Sequence, residues 1–125
     1  MKEIIKSGMA PAPIGPYSQG IKVDDMLFVS GQIAIDPASG NLINTGIVEE
    51  TMRVMENIRA VLEEAGMEFR HVVKTTLYLR DMNDFQTVNE TYGKYFISAP
   101  PARETLEVSR LPRDARIEIS CIAVK

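Results

Sequence analysis

Residues 115–124 restrict this chain more than any other stretch. Strict alternation puts Ile117, Ile119, Cys121 and Ala123 on one face of a strand and Arg116, Glu118, Ser120, Ile122 and Val124 on the other. The first face needs an apolar layer against it. The second is half apolar and half polar, so it too calls for cover rather than open water. A chain of 125 residues is one domain's worth, residues 1–125, and a domain near this size buries roughly two-thirds of the surface its unfolded chain exposes. It can therefore form a core without cross-links or metal staples.

The rest of the pattern supplies that layer. Val48, Met52, Met55, Ile58 or Arg59, Leu62 and Ala65 recur at helical spacing, with Glu49, Glu50, Glu56, Glu63 and Glu64 on the opposite face. Acids at the start suit the positive end of the helix dipole, and Gly66 stands where a left-handed cap belongs. A helix is predicted over 47–65. Val73, Thr75, Leu77 and Leu79 alternate with Lys74, Thr76, Tyr78 and Arg80, predicting a strand over 72–79. Phe85, Val88, Tyr92 and Phe96 predict a second helix over 84–96, introduced by Asp81 to Asp84 and stopped before Pro100-Pro101. Shorter strands are expected at 17–23, 26–33 and 102–108, the first behind a loop made by Pro11, Pro13, Gly15 and Pro16, and a turn at 36–40. The order predicts an α+β fold, a mixed β-sheet with two helices packed on one face. The bare second face, carrying Tyr78, Ile122 and Val124, predicts that other subunits cover it.

Composition excludes several function classes. A single cysteine, Cys121, rules out an internal disulfide or thiolate cluster, and a single histidine, His71, rules out a multi-histidine metal site. No metal is expected. The formal net charge of −3 offers nothing to a phosphate backbone, so no nucleic-acid partner is expected. No segment approaches the ~20 apolar residues of a membrane span, and no signal-peptide pattern opens the chain, so no membrane partner and a cytoplasmic location are expected. Ser30 as a nucleophile would need His71 as its base. His71 reads as a surface or capping residue, and Cys121 as an inert core thiol.

Three polar residues sit where polar residues need a reason. Asn89 lies on or beside the apolar stripe of the second helix, as a satisfied amide or a group aimed into a cleft. Arg103 follows two prolines and opens a strand, so its guanidinium fork is held stiffly. It is either an ordinary ion pair with Glu104 or Glu107, or a carboxylate clamp. Glu118 interrupts the most apolar strand, as half of a salt bridge or as a proton-handling acid.

Taken in order, Gly15-Pro16-Tyr17-Ser18-Gln19-Gly20, Val29-Ser30-Gly31-Gln32, Val73-Lys74-Thr75-Thr76, Asp84-Phe85, Val88-Asn89, Tyr92, Pro101-Ala102-Arg103, Arg110-Leu111-Pro112 and Ile117-Glu118-Ile119 resemble the RidA, or YjgF-type, family of imine and enamine deaminases over nearly the whole chain. The resemblance implies a chorismate-mutase-like α+β fold and a homotrimer with clefts between neighbouring subunits. It implies a hydrolase acting on C=N bonds, converting 2-aminoacrylate, 2-iminopropanoate and 2-iminobutanoate to 2-keto acids and ammonia without a cofactor. Such a protein detoxifies reactive metabolites. By motif, Arg103 would bind the substrate carboxylate and Glu118 would position water. Tyr17, Ser30, Gly31 and Asn89 would line the cleft, with Thr105 where the family often has cysteine. The alternative is a non-catalytic sensor of small carboxylates or keto acids using the same clefts. An endoribonuclease, a label some relatives carry, is opposed by the acidic charge and the lack of a basic stripe.

Overall fold

A computed structural model describes residues 1–125. Six strands and two helices follow in the order β1 (Lys2–Ile5), β2 (Gly20–Val23), β3 (Met26–Gln32), α1 (Ile47–Glu64), β4 (Val72–Leu79), α2 (Phe85–Gly93), β5 (Ala102–Glu107) and β6 (Ile117–Val124). The strands form one sheet in the order β1-β2-β3-β6-β4-β5. Every pair is antiparallel except β4–β5, which α2 connects as a parallel crossover. Both helices lie on one face, and the core between them and the sheet includes Leu27, Val54, Ile58, Leu62, Leu77, Val88, Ile117 and Ile119. The mixed sheet with two helices on one side is therefore the fold the alternation implied.

Several boundaries and faces differ from expectation. The strand β1 was not foreseen. Only Ile5 of its four residues is buried, so it carries no alternating signal. The strand expected over 17–23 begins at Gly20, leaving Tyr17 and Ser18 in the preceding loop. The second helix spans Phe85–Gly93 rather than 84–96, because Lys94, Tyr95 and Phe96 continue only as tight three-residue turns. The last strand starts at Ile117, not 115.

Two faces are rotated. On α1 the buried stripe is Glu50, Thr51, Val54, Met55, Asn57, Ile58, Val61 and Leu62, while Val48 and Met52 are exposed and Glu50 is only 1% accessible. The sheet and α2 both press on α1, so its covered stripe is wider than a single apolar line and shifted by about one position. On β4, Val72 and not Val73 faces the core. One extra residue between the Val72–Ala123 and Lys74–Ile122 pairs makes a bulge that turns Val73 outward. Helix α1 ends as foreseen, at Gly66 with φ 74°.

The far face of the sheet has an apolar row of its own. Ile4 pairs with Ile21, Ile21 with Phe28, and Phe28 with Ile122, directly opposite one another across β1, β2, β3 and β6. Phe28 and Ile4 are 41% and 64% exposed. No helix of this chain covers that row.

Candidate functional site

A second bulge builds the site. Between the Val29–Cys121 and Gln32–Ile119 pairs, β3 has three steps where β6 has two. Ser30 and Gly31 occupy the extra length, and the ladder opens there, as bulges beside functional sites commonly do. Glu118 on β6 fills the opening. A β-carbon on residue 31 would collide with the Glu118 carboxylate, so only glycine permits this approach.

The carboxylate of Glu118 faces a cavity of about 510 Å³, shared with Tyr17, Ser30 and Gly31. The remaining walls come from residues the sequence reading did not single out for the site, among them Ile14, Gln19, Ile33, Ile35 and Arg113. Within the chain, Glu118 makes no ion pair and no side-chain hydrogen bond. Burial raises its pKa above the usual carboxylate value. The Ser30 hydroxyl donates to the Ser18 carbonyl at 2.5 Å, which ties β3 to the proline loop and occupies its proton. Tyr17 is half exposed, and its hydroxyl accepts the Ile14 N–H at 3.3 Å.

Two buried amides brace segments that line the cavity. Asn57 of α1 donates to the carbonyls of Ile33 and Ile35 at 3.1 and 2.9 Å. Gln19 binds the loop at residues 7–11. No periodicity signals either amide; only the third dimension shows what they hold.

Arg103 lies elsewhere in the chain. It pairs with Thr75 and Thr105 pairs with Leu77, so both point to the helix side of the sheet. Glu118 pairs with Tyr78 and points to the other side. The Arg103 Nη1 donates to Asn89 Oδ1 at 2.7 Å, and its guanidinium stacks over Tyr92 and Phe85, 5.3 and 5.6 Å from the ring centres. Tyr92 is fixed in turn by a 2.7 Å hydrogen bond to Thr75, and burial raises its pKa.

No carboxylate neutralises Arg103: neighbouring Glu104 turns to Lys74 and Thr76 instead. Beside it, the Thr105 hydroxyl oxygen is buried without a hydrogen-bond partner. Within one chain, then, Tyr17, Ser30, Gly31 and Glu118 come together, as do Arg103, Asn89 and Thr105, but the two groups sit on opposite faces.

The remaining reactive side chains are spoken for. His71 caps a helical turn, its Nδ1 accepting the Glu68 N–H at 2.9 Å. Cys121 is buried, with its pKa pushed up to about 12 by desolvation, so its thiol stays protonated and unreactive. No helix is long and apolar enough to cross a membrane.

On one face of the α+β sheet a half-buried acid with no partner in the chain lines a cavity, and on the other an arginine with no carboxylate partner lies over two aromatic rings. Residues 7–125 match the family model described as Endoribonuclease L-PSP. The chain is 58% identical over 125 residues to a RutC family protein of Saccharolobus solfataricus, covering 100% of this chain and 99% of that one. It is 48% identical over 125 residues to the 2-iminobutanoate/2-iminopropanoate deaminase of Mus musculus, covering 100% and 93%. The structure of Escherichia coli TdcF with bound serine superimposes with a TM-score of 0.95 at 36% identity, covering 98% of each chain. The chain belongs to the RidA (YjgF-type) family.

Proposed function

We propose that this protein hydrolyses reactive 2-imino acids and their enamine tautomers, such as 2-aminoacrylate, 2-iminopropanoate and 2-iminobutanoate, to 2-keto acids and ammonia. The observation that carries the reading is Glu118. It is a half-buried carboxyl with a raised pKa and no protein partner, facing a cavity beside a glycine that makes room for it. Such a group is better suited to proton handling than to structure. The mouse relative's deaminase name supports the same chemistry.

The substrate's α-carboxylate pairs with the Arg103 fork, which Asn89, Tyr92 and Phe85 hold in one orientation. Since Arg103 and Glu118 lie on opposite faces of one chain, the complete site forms between copies: Arg103 of one faces the Glu118 cavity of its neighbour. The homotrimer of the resemblance supplies that arrangement, with the Ile4–Ile21–Phe28–Ile122 row as apolar surface for the contact. The Thr105 hydroxyl, orphaned in the single chain, then has a ligand or a neighbouring copy to bond.

Glu118 holds a water against C2 and accepts its proton as the oxygen adds to the C=N carbon. The nitrogen takes up that proton and then the hydroxyl's, the carbinolamine collapses to C=O, the C–N bond breaks and ammonia leaves. An enamine first takes a proton at C3 and gives one up from nitrogen to become the imine. Imine hydrolysis already proceeds in water, so a gain of roughly 10²–10⁴-fold from acid–base catalysis suffices.

The test generates 2-aminoacrylate in place with a serine dehydratase and follows keto-acid formation. A marked acceleration by the wild-type protein is expected, and none with Arg103→Ala. An unaccelerated reaction with wild-type protein ends the deaminase reading, and full activity in Arg103→Ala ends the clamp.

A further inference from the structure

The wall of the Glu118 cavity that carries Ala12, Ile14 and Tyr17 belongs to a segment with few hydrogen bonds of its own. Residues 7–16 contain Pro11, Pro13 and Pro16, which have no N–H to give, and Gly8 and Gly15, which resist no torsion. The segment pairs with no strand. Its carbonyls and remaining N–H groups must still find partners if the wall is to hold one shape.

Local bonds meet three of them, from the Met9 N–H to Ser7 Oγ, the Ala10 N–H to the Ser7 carbonyl and the Ile14 N–H to the Tyr17 hydroxyl, and one buried side chain supplies four more. Gln19 is 2% exposed, lines the cavity, and spends its whole amide on this segment. Its Oε1 accepts the Ser7 N–H at 2.6 Å. Its Nε2 donates to the carbonyls of Pro11 at 2.9 Å, Ser7 at 3.1 Å and Ala10 at 3.4 Å. The orientation of the amide is fixed, because an N–H can only donate and the carbonyls can only accept. Meanwhile the Gln19 carbonyl accepts the Ser30 N–H at 2.9 Å, so the same residue joins the loop to the bulged strand beside Glu118.

We propose that Gln19 is a positioning residue of the binding cavity: its buried amide takes the place of a strand partner for residues 7–11 and sets where Ala12, Ile14 and Tyr17 stand against the ligand. It touches none of the reacting atoms. Its loss therefore lowers substrate affinity and leaves the chemical step to Arg103 and Glu118. The effect on turnover rests on the deaminase reading; the effect on the wall does not.

The test compares wild-type protein with Gln19→Met, which keeps the length and removes all four bonds, and Gln19→Glu, which keeps only the bond accepted from the Ser7 N–H. In the imine assay, Gln19→Met is expected to raise KM by roughly ten- to a hundredfold, with kcat within about threefold of wild type and Gln19→Glu in between. Hydrogen exchange at the Ile14 N–H, held only by the Tyr17 hydroxyl, is expected to speed up at least tenfold in Gln19→Met. A folded Gln19→Met with unchanged KM, or with only kcat reduced, overturns the proposal. If Gln19→Met does not fold, the KM of Gln19→Glu decides in the same way, and loss of fold in both assigns Gln19 to stability alone and overturns it too. Should the wild-type protein release no ammonia, the deaminase reading fails separately, and Ile14 exchange that is unchanged still sinks the role of Gln19.

Discussion

Glu118 combines two properties that oppose each other. Burial makes its carboxyl a stronger base once ionised, and the same burial penalises the ionised form that a neutral solution demands. Folding binds its proton more tightly than the unfolded chain does. Its contribution to stability is therefore complete below the ordinary carboxylate pKa and lost as pH rises through the raised one. Glu118→Gln removes that cost. Its melting temperature is expected to exceed wild type at pH 7, with the difference closing below pH 4.5, as thermal unfolding at several pH values will read. In the imine assay the same variant loses roughly 10²–10⁴-fold in rate while still binding 2-oxobutanoate by calorimetry. An unaltered rate removes Glu118 from the mechanism. Gly31 is tied to the same residue. Gly31→Ala displaces the carboxylate, so activity falls by at least tenfold with the fold retained by circular dichroism.

At the scale of elements, α1 is anchored by polar groups as well as apolar ones. Glu50, in its first turn, is buried against the end of the sheet. Its one cationic partner is Arg116, 3.5 Å away, and one of its oxygens has no hydrogen-bond partner. Burial raises its pKa, and Arg116 pulls it back. Arg116→Ala leaves this carboxylate alone and is expected to cost about 2–3 kcal/mol at pH 7, toward the low end for a broken buried pair because Arg116 is half in water. Adding Glu50→Gln to Arg116→Ala should restore most of the loss in chemical denaturation, and a double variant no more stable than Arg116→Ala refutes the coupling. At the other end of the sheet, β5 is an edge strand whose charged side chains divide by face: Glu104 to the far side with Lys74, Arg103 to the helix side with Asn89. A one-residue slip of β5 would exchange them, so the observed register is what brings Arg103 to Asn89.

For the whole molecule, the proposed function turns on Arg103 and Glu118 leaving the sheet of one chain on opposite faces, as two half-sites. In that proposal, the apolar surface that no helix covers, laid out as one row over four strands, is the contact between copies. Ile122→Glu puts a charge in the middle of that row without touching either half-site. It is expected to yield a folded monomer by light scattering, with imine hydrolysis lost although Arg103 and Glu118 are intact. A trimer that survives the substitution, or a monomer with full activity, refutes a site completed between copies.

The alternation of residues 115–124, the helical spacing after Ile47 and the positive-φ cap at Gly66 were legible because each is a local regularity, set by backbone geometry within a few residues. Local regularity was therefore enough for the α+β class, the core face of β6, the inert thiol of Cys121 and the oddity of Glu118 in an apolar strand. It could not reveal the bulges at Val73 and at Ser30-Gly31, which exist only when two strands are counted against each other. Nor could it show that Glu50, amid other acids, is buried, or that Arg103 and Glu118 leave the sheet on opposite sides. Those were decided by the pairing of β5 with β4 and of β4 with β6. Side-chain direction alternates along each strand, so only the tertiary register fixes which face a distant residue shares.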